Sequence, residues 1–173
     1  WPEGTGMTSV AALLHAVEPW LDKADGVTIS GGEPFDQPAA LEHLLREIRR
    51  RTTVDVLVYS GHPFARLGRW LERAPGLIDA LMSEPYIEGA PQTLALRGSD
   101  NQVLHLLTDT GTRRFGPVAV ASANHHFDVM FDDDGVAWLA GIPGQGDLRR
   151  LRQRLKAAGH QILLSDAGAA DTA

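Results

Sequence analysis

Residues 26–35 read Gly26-Val27-Thr28-Ile29-Ser30-Gly31-Gly32-Glu33-Pro34-Phe35. The run 27–30 predicts a short buried strand. Gly31-Gly32 ends it, and without Cβ atoms the backbone there can approach a ligand closely. Glu33 then sets a carboxylate past the strand's carboxyl end, and Pro34 forbids further ladder pairing. Open α/β sheets bind ligands outside the carboxyl ends of their strands. An acid placed there suits a cation such as an amino-acid ammonium. A tight strand-to-helix turn with Glu33 in solvent is the other reading, and the residues alone leave both open.

Working outward, helical and strand signals alternate, which is the pattern of α/β layers around a largely parallel sheet. Upstream, Thr8 or Ser9 can cap a helix whose Val10, Leu13, Leu14, Val17 and Leu21 share one face. Pro19 inside that pattern predicts a kink or a split. Downstream, Gln37-Pro38 opens a helix with proline in its tolerated first turn and Leu41, Leu44, Leu45 and Ile48 inward. The basic run Arg46, Arg49, Arg50 and Arg51 reads as a solvated face favoured by the helix dipole. A strand over 54–59 closes at Ser60-Gly61. A helix over about 64–74 turns Leu67, Trp70 and Leu71 inward. A strand over 77–82 closes at Ser83-Glu84-Pro85-Tyr86. Three strands thus end in small or polar residues at one sheet edge, the predicted site.

Past Gly89 the pattern changes. A short strand over 93–96, a polar turn at 97–102 and a strand over 103–107 are expected. A hairpin of 127–131 and 136–140 follows, joined by an Asp-Gly turn. Asp147 is expected to cap a last helix with Leu148, Leu151 and Leu155 inward and Gly159 at its end. Residues 162–164 suggest a final strand, and 166–173 a disordered tail.

Composition narrows the function classes. The 173 residues suit one domain with a sizeable core, and 43% are hydrophobic and 22% charged. Sixteen basic against twenty-two acidic residues give a net charge of −6, so nucleic acid and anionic membrane are not expected partners. No apolar run approaches the ~20 residues of a membrane span, and a cytoplasmic location is expected. The chain has no cysteine, which excludes disulfides and thiolate metal sites within it. It opens at Trp1, with its first methionine at Met7, and a fragment or processed chain is the expectation.

Other constellations point to structure. Adjacent His125-His126 would point apart on a strand, so with His105 they make a poor metal site. Asp132-Asp133-Asp134-Gly135 lacks the glutamate of a calcium loop, since Pro143 stands at position twelve. Gly144-Gln145-Gly146-Asp147 is not a complete phosphate-binding motif and reads as a helix entry.

Gly31-Gly32-Glu33-Pro34 on a strand end, then Tyr59-Ser60-Gly61, then Arg97-Gly98-Ser99-x-Asn101-Gln102 together resemble the radical S-adenosylmethionine (SAM) proteins. The similarity is strongest to small activating enzymes such as the activase of anaerobic ribonucleotide reductase, over about residues 1–107. It implies a partial open (β/α) barrel over residues 1–165, missing its first strand and cluster loop. In that family a Cys-x3-Cys-x2-Cys loop holds a [4Fe–4S] cluster. Reductive cleavage of SAM there yields a 5′-deoxyadenosyl radical that abstracts hydrogen. The resemblance places Gly31, Gly32 and Glu33 against the methionine amine and Ser60 near the ribose. Asn101 joins them as a candidate SAM contact. It, Arg97, Ser99 and Gln102 either order the strand ends or touch SAM. A glycyl radical enzyme or other protein substrate, and an electron donor such as flavodoxin or ferredoxin, are the implied partners.

Two departures stand out. The cysteine loop of the family lies just upstream of the segment matching Trp1, and no cysteine here replaces it. Ser83-Glu84-Pro85-Tyr86 stands where relatives often read Asp-Gly-Pro and an aromatic. The expectation is therefore a truncated view of a radical SAM enzyme. The alternative is a cluster-free module that binds SAM or a protein.

Overall fold

The structure, a computed structural model, describes residues 8–122, 127–131, 137–144 and 146–159. The chain divides into two units, one over Met7–Ala123 and one made mainly of the residues from Asn124 onward.

In the first unit, helix α1 (Val10–Leu21) leads into strand β1 (Gly26–Ile29). A 3-10 turn (Pro34–Asp36) and helix α2 (Pro38–Arg51) follow. Then come β2 (Asp55–Tyr59), α3 (Phe64–Arg73), β3 (Ala80–Ser83), β4 (Val103–Leu106) and α4 (Asp109–Ala119). The sheet runs in the order β1-β2-β3-β4, parallel except for the last pair. This is a mixed α/β architecture with a mostly parallel sheet.

Register sets the core. Val27 lies opposite Val56, Ile29 opposite Val58, and Val58 opposite Leu81. These residues share a face and pack under Leu14 of α1, Leu41, Leu45 and Ile48 of α2, and Leu67 and Trp70 of α3. Strand alternation sends buried Leu57, Ala80 and Met82 to the other face. β2 and β3 are buried along nearly their whole length, as central parallel strands are. Phe35 meets Trp70 edge-on with ring centroids 5.2 Å apart, fixing the 3-10 turn over α3.

At the amino ends of β2 and β3, Asp79 is a buried hub. Its carboxylate accepts Arg49 Nη2 at 2.6 Å, the Val56 amide at 2.9 Å and Thr108 Oγ1 at 2.5 Å. Arg49 also donates to the carbonyls of Val54 and Leu77. It is therefore a clasp between α2 and the sheet, where the basic run predicted a solvated arginine. Arg46, Arg50 and Arg51 do pair on the helix surface, with Glu42 and Glu47.

Several boundaries differ from the sequence reading. α1 is capped by Ser9, whose Oγ accepts the Ala12 amide, and it runs through Pro19 without splitting. Pro19 sits in the last turn, where the helix loses one bond and then ends. β3 starts at Ala80 rather than 77, because Asp79 turns the chain with its own side-chain bonds. Residues 93–96 give only an isolated bridge, Leu94 to Ser122. α4 has no counterpart in the sequence reading. Thr108 caps it by accepting the Gly111 amide, and Gly111 is required there because a Cβ would lie 2.0 Å from the Asp79 carbonyl oxygen.

In the second unit, β5 (Phe127–Phe131) and β6 (Ala137–Gly141) form the expected antiparallel hairpin. Helix α5 (Asp147–Ala157) follows. Its N-cap position is Gly146, at φ 83°, and not Asp147. Leu148 is 50% exposed, contrary to its inward placement, while Leu151 and Leu155 are half-buried. The turn at 132–135, the strand at 162–164 and the tail at 166–173 lie outside the described residues. No described helix is long and apolar enough to cross a membrane.

Candidate functional site

The carboxyl ends of β1, β2 and β3 lie side by side because the three strands are parallel, and their following loops are stitched together. Glu33 is the first stitch. Its Oε1 accepts the Phe35 amide at 3.1 Å and the Ser60 hydroxyl at 2.8 Å, and its Oε2 accepts the Gly61 amide at 2.7 Å. The β1 loop is thereby fixed to the β2 loop. A carboxylate offers about four acceptor directions, so the three donors found among the described residues leave one open, on the Oε2 side. Glu33 itself is half-buried and Ser60 is buried.

Gly31 and Gly32 precede this carboxylate with φ 87° and 59°, the left-handed region that favours glycine. A Cβ built on either meets nothing within 4 Å, so both face open space. Among the described residues no hydrogen bond engages their backbone. The pair therefore forms a bare main-chain surface beside a fixed anionic group.

Two more residues of this rim escaped the sequence reading. His62 Nε2 lies 2.8 Å from Asp36 Oδ1, and its Nδ1 lies 3.2 Å from Arg66 Nη1. A guanidinium only donates, so Nδ1 is the acceptor and Nε2 carries the proton. The carbonyl of His62 accepts the Glu84 amide at 3.1 Å, and the Ser60 amide donates to Met82 O at 2.9 Å, which joins the β3 loop to the same rim. The signal was available: Asp36 and His62 follow Glu33 and Ser60 by three and two residues.

Glu84 has φ 77°. That conformation explains a glycine at this position in the Asp-Gly-Pro of the resembled family, and a glutamate here carries strain of about 1–2 kcal/mol. Its Oε1 accepts the Phe64 amide at 3.1 Å. Beside it, His105 Nε2 lies 2.9 Å from the buried Ser83 Oγ, and the imidazole stacks on Phe64 with centroids 3.8 Å apart. Burial holds His105 below the ordinary histidine range, and the Glu84 charge only partly opposes this. His105 thus packs between Phe64 and Ser83. His125, His126 and Asp132–Asp134 lie outside the described residues.

Asn101 donates from Nδ2 to the Pro85 carbonyl at 2.7 Å. Gln102 accepts the amides of Gly98 and Ser99, and Arg97 Nε donates to the Gln102 carbonyl at 2.7 Å. Tyr59, at the end of β2, donates to Leu96 O at 2.8 Å, and burial pushes its phenol up to about 12. The structure thus brings Gly31, Gly32, Glu33 and Ser60 together and gives Asn101 a loop-to-loop bond. In the second unit the Gly144 amide is occupied by the Asp147 carboxylate at 2.8 Å, as a plain helix entry requires.

Residues 5–105, more than half of the chain, match the family described as 4Fe-4S single cluster domain, and the chain belongs to that family. The family is associated with the radical SAM proteins, so the relation read from the motifs stands at that level. No curated protein matches the chain, and no solved structure does.

The family implies an iron–sulfur cluster, which is held by cysteine thiolates. The chain has none. Among the described residues no group of three or more His, Asp or Glu side chains is placed to hold a metal ion. The residues present therefore do not fit the cluster.

Proposed function

We propose that this chain binds S-adenosylmethionine as a radical SAM protein of the small activating-enzyme type, on a partial open (β/α) barrel. The observation that carries the reading is the open acceptor direction of Glu33 beside the bare Gly31-Gly32 backbone. A methionine ammonium placed there would complete the carboxylate's hydrogen bonding, and the glycines would admit the amino-acid end without a clash. Ser60 and Gly61 would hold Glu33 in the geometry the ligand needs. Ser60 would lie toward the ribose, and Asn101 would act by fixing the β3 loop.

In activating enzymes that this chain resembles, SAM is cleaved reductively at a cluster fed by flavodoxin or ferredoxin, and the radical takes hydrogen from a protein such as a glycyl radical enzyme. Those partners are part of the proposal. This chain's residues bind and orient; the redox step belongs to a cluster they cannot ligate. The absence of cysteine also favours a second reading, a cluster-free module that binds SAM or a protein partner.

Calorimetric titration of SAM into the 173-residue protein tests the binding claim. Binding is expected, with Glu33→Gln weaker by roughly ten- to a hundredfold, as for loss of a charge-assisted contact. Absence of SAM binding, or a Glu33→Gln variant that is folded and binds like wild type, overturns it.

A further inference from the structure

Three side chains of the Arg97–Gln102 turn reach one neighbour, the loop that follows β3. Gln102 Nε2 donates to Glu84 O at 3.3 Å, Asn101 Nδ2 donates to Pro85 O at 2.7 Å, and Ser99 Oγ accepts the Ile87 amide at 3.0 Å. Three residues of the 84–87 loop are thus held by three side chains of the turn. Two of the three clamping residues are buried, Ser99 at 0% and Gln102 at 9% exposed, with Arg97 buried behind them, while Asn101 is exposed.

What this clamp presents is apolar. Tyr86 is 56% and Ile87 48% exposed. The Tyr86 ring lies against Gly98, where a Cβ would come within 3.0 Å of it. Single exposed apolar side chains are ordinary. Two adjacent ones on a loop fixed by buried polar groups are a prepaid, ordered anchor of the kind found at interface hot spots.

The loop and the turn carry outward charge of one sign. The charged side chains of residues 84–91 and 97–102 are Glu84, Glu88, Asp100 and Arg97, and the one cation is buried. Hydrogen bonds from the Thr93 hydroxyl and amide and from the Leu94 amide keep Asp100 tied in place. The cavity between α1 and α2, lined by Leu14, His15, His43 and Glu47, lies elsewhere. A small molecule needs a concave site, whereas a chain segment can lie over an exposed aromatic.

We infer that the Tyr86–Ile87 loop is a docking surface for a polypeptide segment bearing an apolar side chain flanked by lysine or arginine. Complementary charge sets the partner's sign. The inference is independent of SAM binding.

The test is an NMR titration of the whole 173-residue protein with two short peptides. Both carry the same central Leu-Phe pair, one flanked by Lys and Arg and the other by Glu and Asp. The basic peptide is expected to shift the amides of residues 84–101, with affinity falling as salt is added. Tyr86→Ser and Ile87→Ser should each weaken it at least about tenfold, as loss of an interface anchor does. Asn101→Ala should weaken it too, although both apolar side chains remain. The surface assignment is overturned if the basic peptide leaves these amides unmoved, or if the acidic peptide binds equally. It is also overturned if Tyr86→Ser and Ile87→Ser, with amide spectra showing a preserved fold, bind like wild type. Shifts of the same amides with protein concentration alone would assign the surface to a second copy of this chain and overturn the proposal.

Discussion

The Glu84 carboxylate accepts the main-chain amide of Phe64 at 3.1 Å and so caps α3 from the end of a different strand. Pro63, at the N-cap position of that helix, makes no side-chain capping bond. Glu84 supplies the missing acceptor from a left-handed backbone with φ 77°. Strain at one residue is exchanged for a satisfied helix end two elements away.

That exchange separates two substitutions. Glu84→Ala keeps the unfavourable φ and loses the cap, and stability should fall by about 1 kcal/mol. Glu84→Gly loses the same cap but relieves the strain, and should unfold within about 1 kcal/mol of wild type. Urea denaturation of both variants measures the difference. Equal midpoints would mean that the left-handed conformation costs nothing.

Helix α4 holds two glycines with different expectations. A Cβ at Gly111 would sit 2.0 Å from the Asp79 carbonyl oxygen, which is backbone and cannot swing away. Gly111→Ala should cost about 2–4 kcal/mol through displacement of α4. Away from its chain neighbours, a Cβ at Gly116 meets only Leu106 Cδ1, at 4.0 Å. Gly116→Ala gains helix propensity but sets a Cβ against the ring of Pro117, so stability should stay within about 1 kcal/mol of wild type. Thermal melts of the pair separate the two.

His105 makes stability depend on pH. Its folded pKa is lowered from the ordinary 6.5 by burial. The unfolded chain therefore binds a proton before the folded chain does, and stability falls as pH drops below about 6.5. Stability is fully present above that value. Unfolding followed from pH 8 to about 5 should show this slope, and His105→Gln should flatten it. An unchanged slope in the variant would move the effect to another group.

Anaerobic reconstitution of the 173-residue protein with iron and sulfide should give no stoichiometric cluster. The reason is the absence of any thiolate in the sequence. Iron and sulfide analysis with electron paramagnetic resonance is the check. A stable cluster in this chain would require non-cysteine ligation.

The sequence carried the rim well where local chemistry decides. Gly31-Gly32 announces positive φ, and Pro34 announces the strand's end. What it could not show was the partner of each polar group. Glu33 reads equally as a ligand contact or a turn acid until Ser60 and Gly61 are placed against it. Arg49 reads as one of four surface arginines until Asp79 is found beneath it. α4 was illegible because Gly111, Gly116 and Pro117 argue against a helix, and the reason for Gly111 is a carbonyl from thirty-two residues upstream. The 97–102 segment is legible as a turn, but its purpose lies in another loop.

The reversal of β4 has a consequence for how the molecule can vary. A strand antiparallel to β3 starts at the rim where β3 finishes. The connection between them, residues 84–102, therefore leaves and rejoins the sheet at one side. Drift at its exposed positions alters what the rim displays while the ladder registers of β3 and β4 stay as they are. The connections that join the parallel strands must travel the length of the sheet and carry core residues. Within 84–102 the Glu84 cap on α3 and the buried Arg97, Ser99 and Gln102 belong to the fold, so selection can revise the exposed positions 86–88 without reopening it.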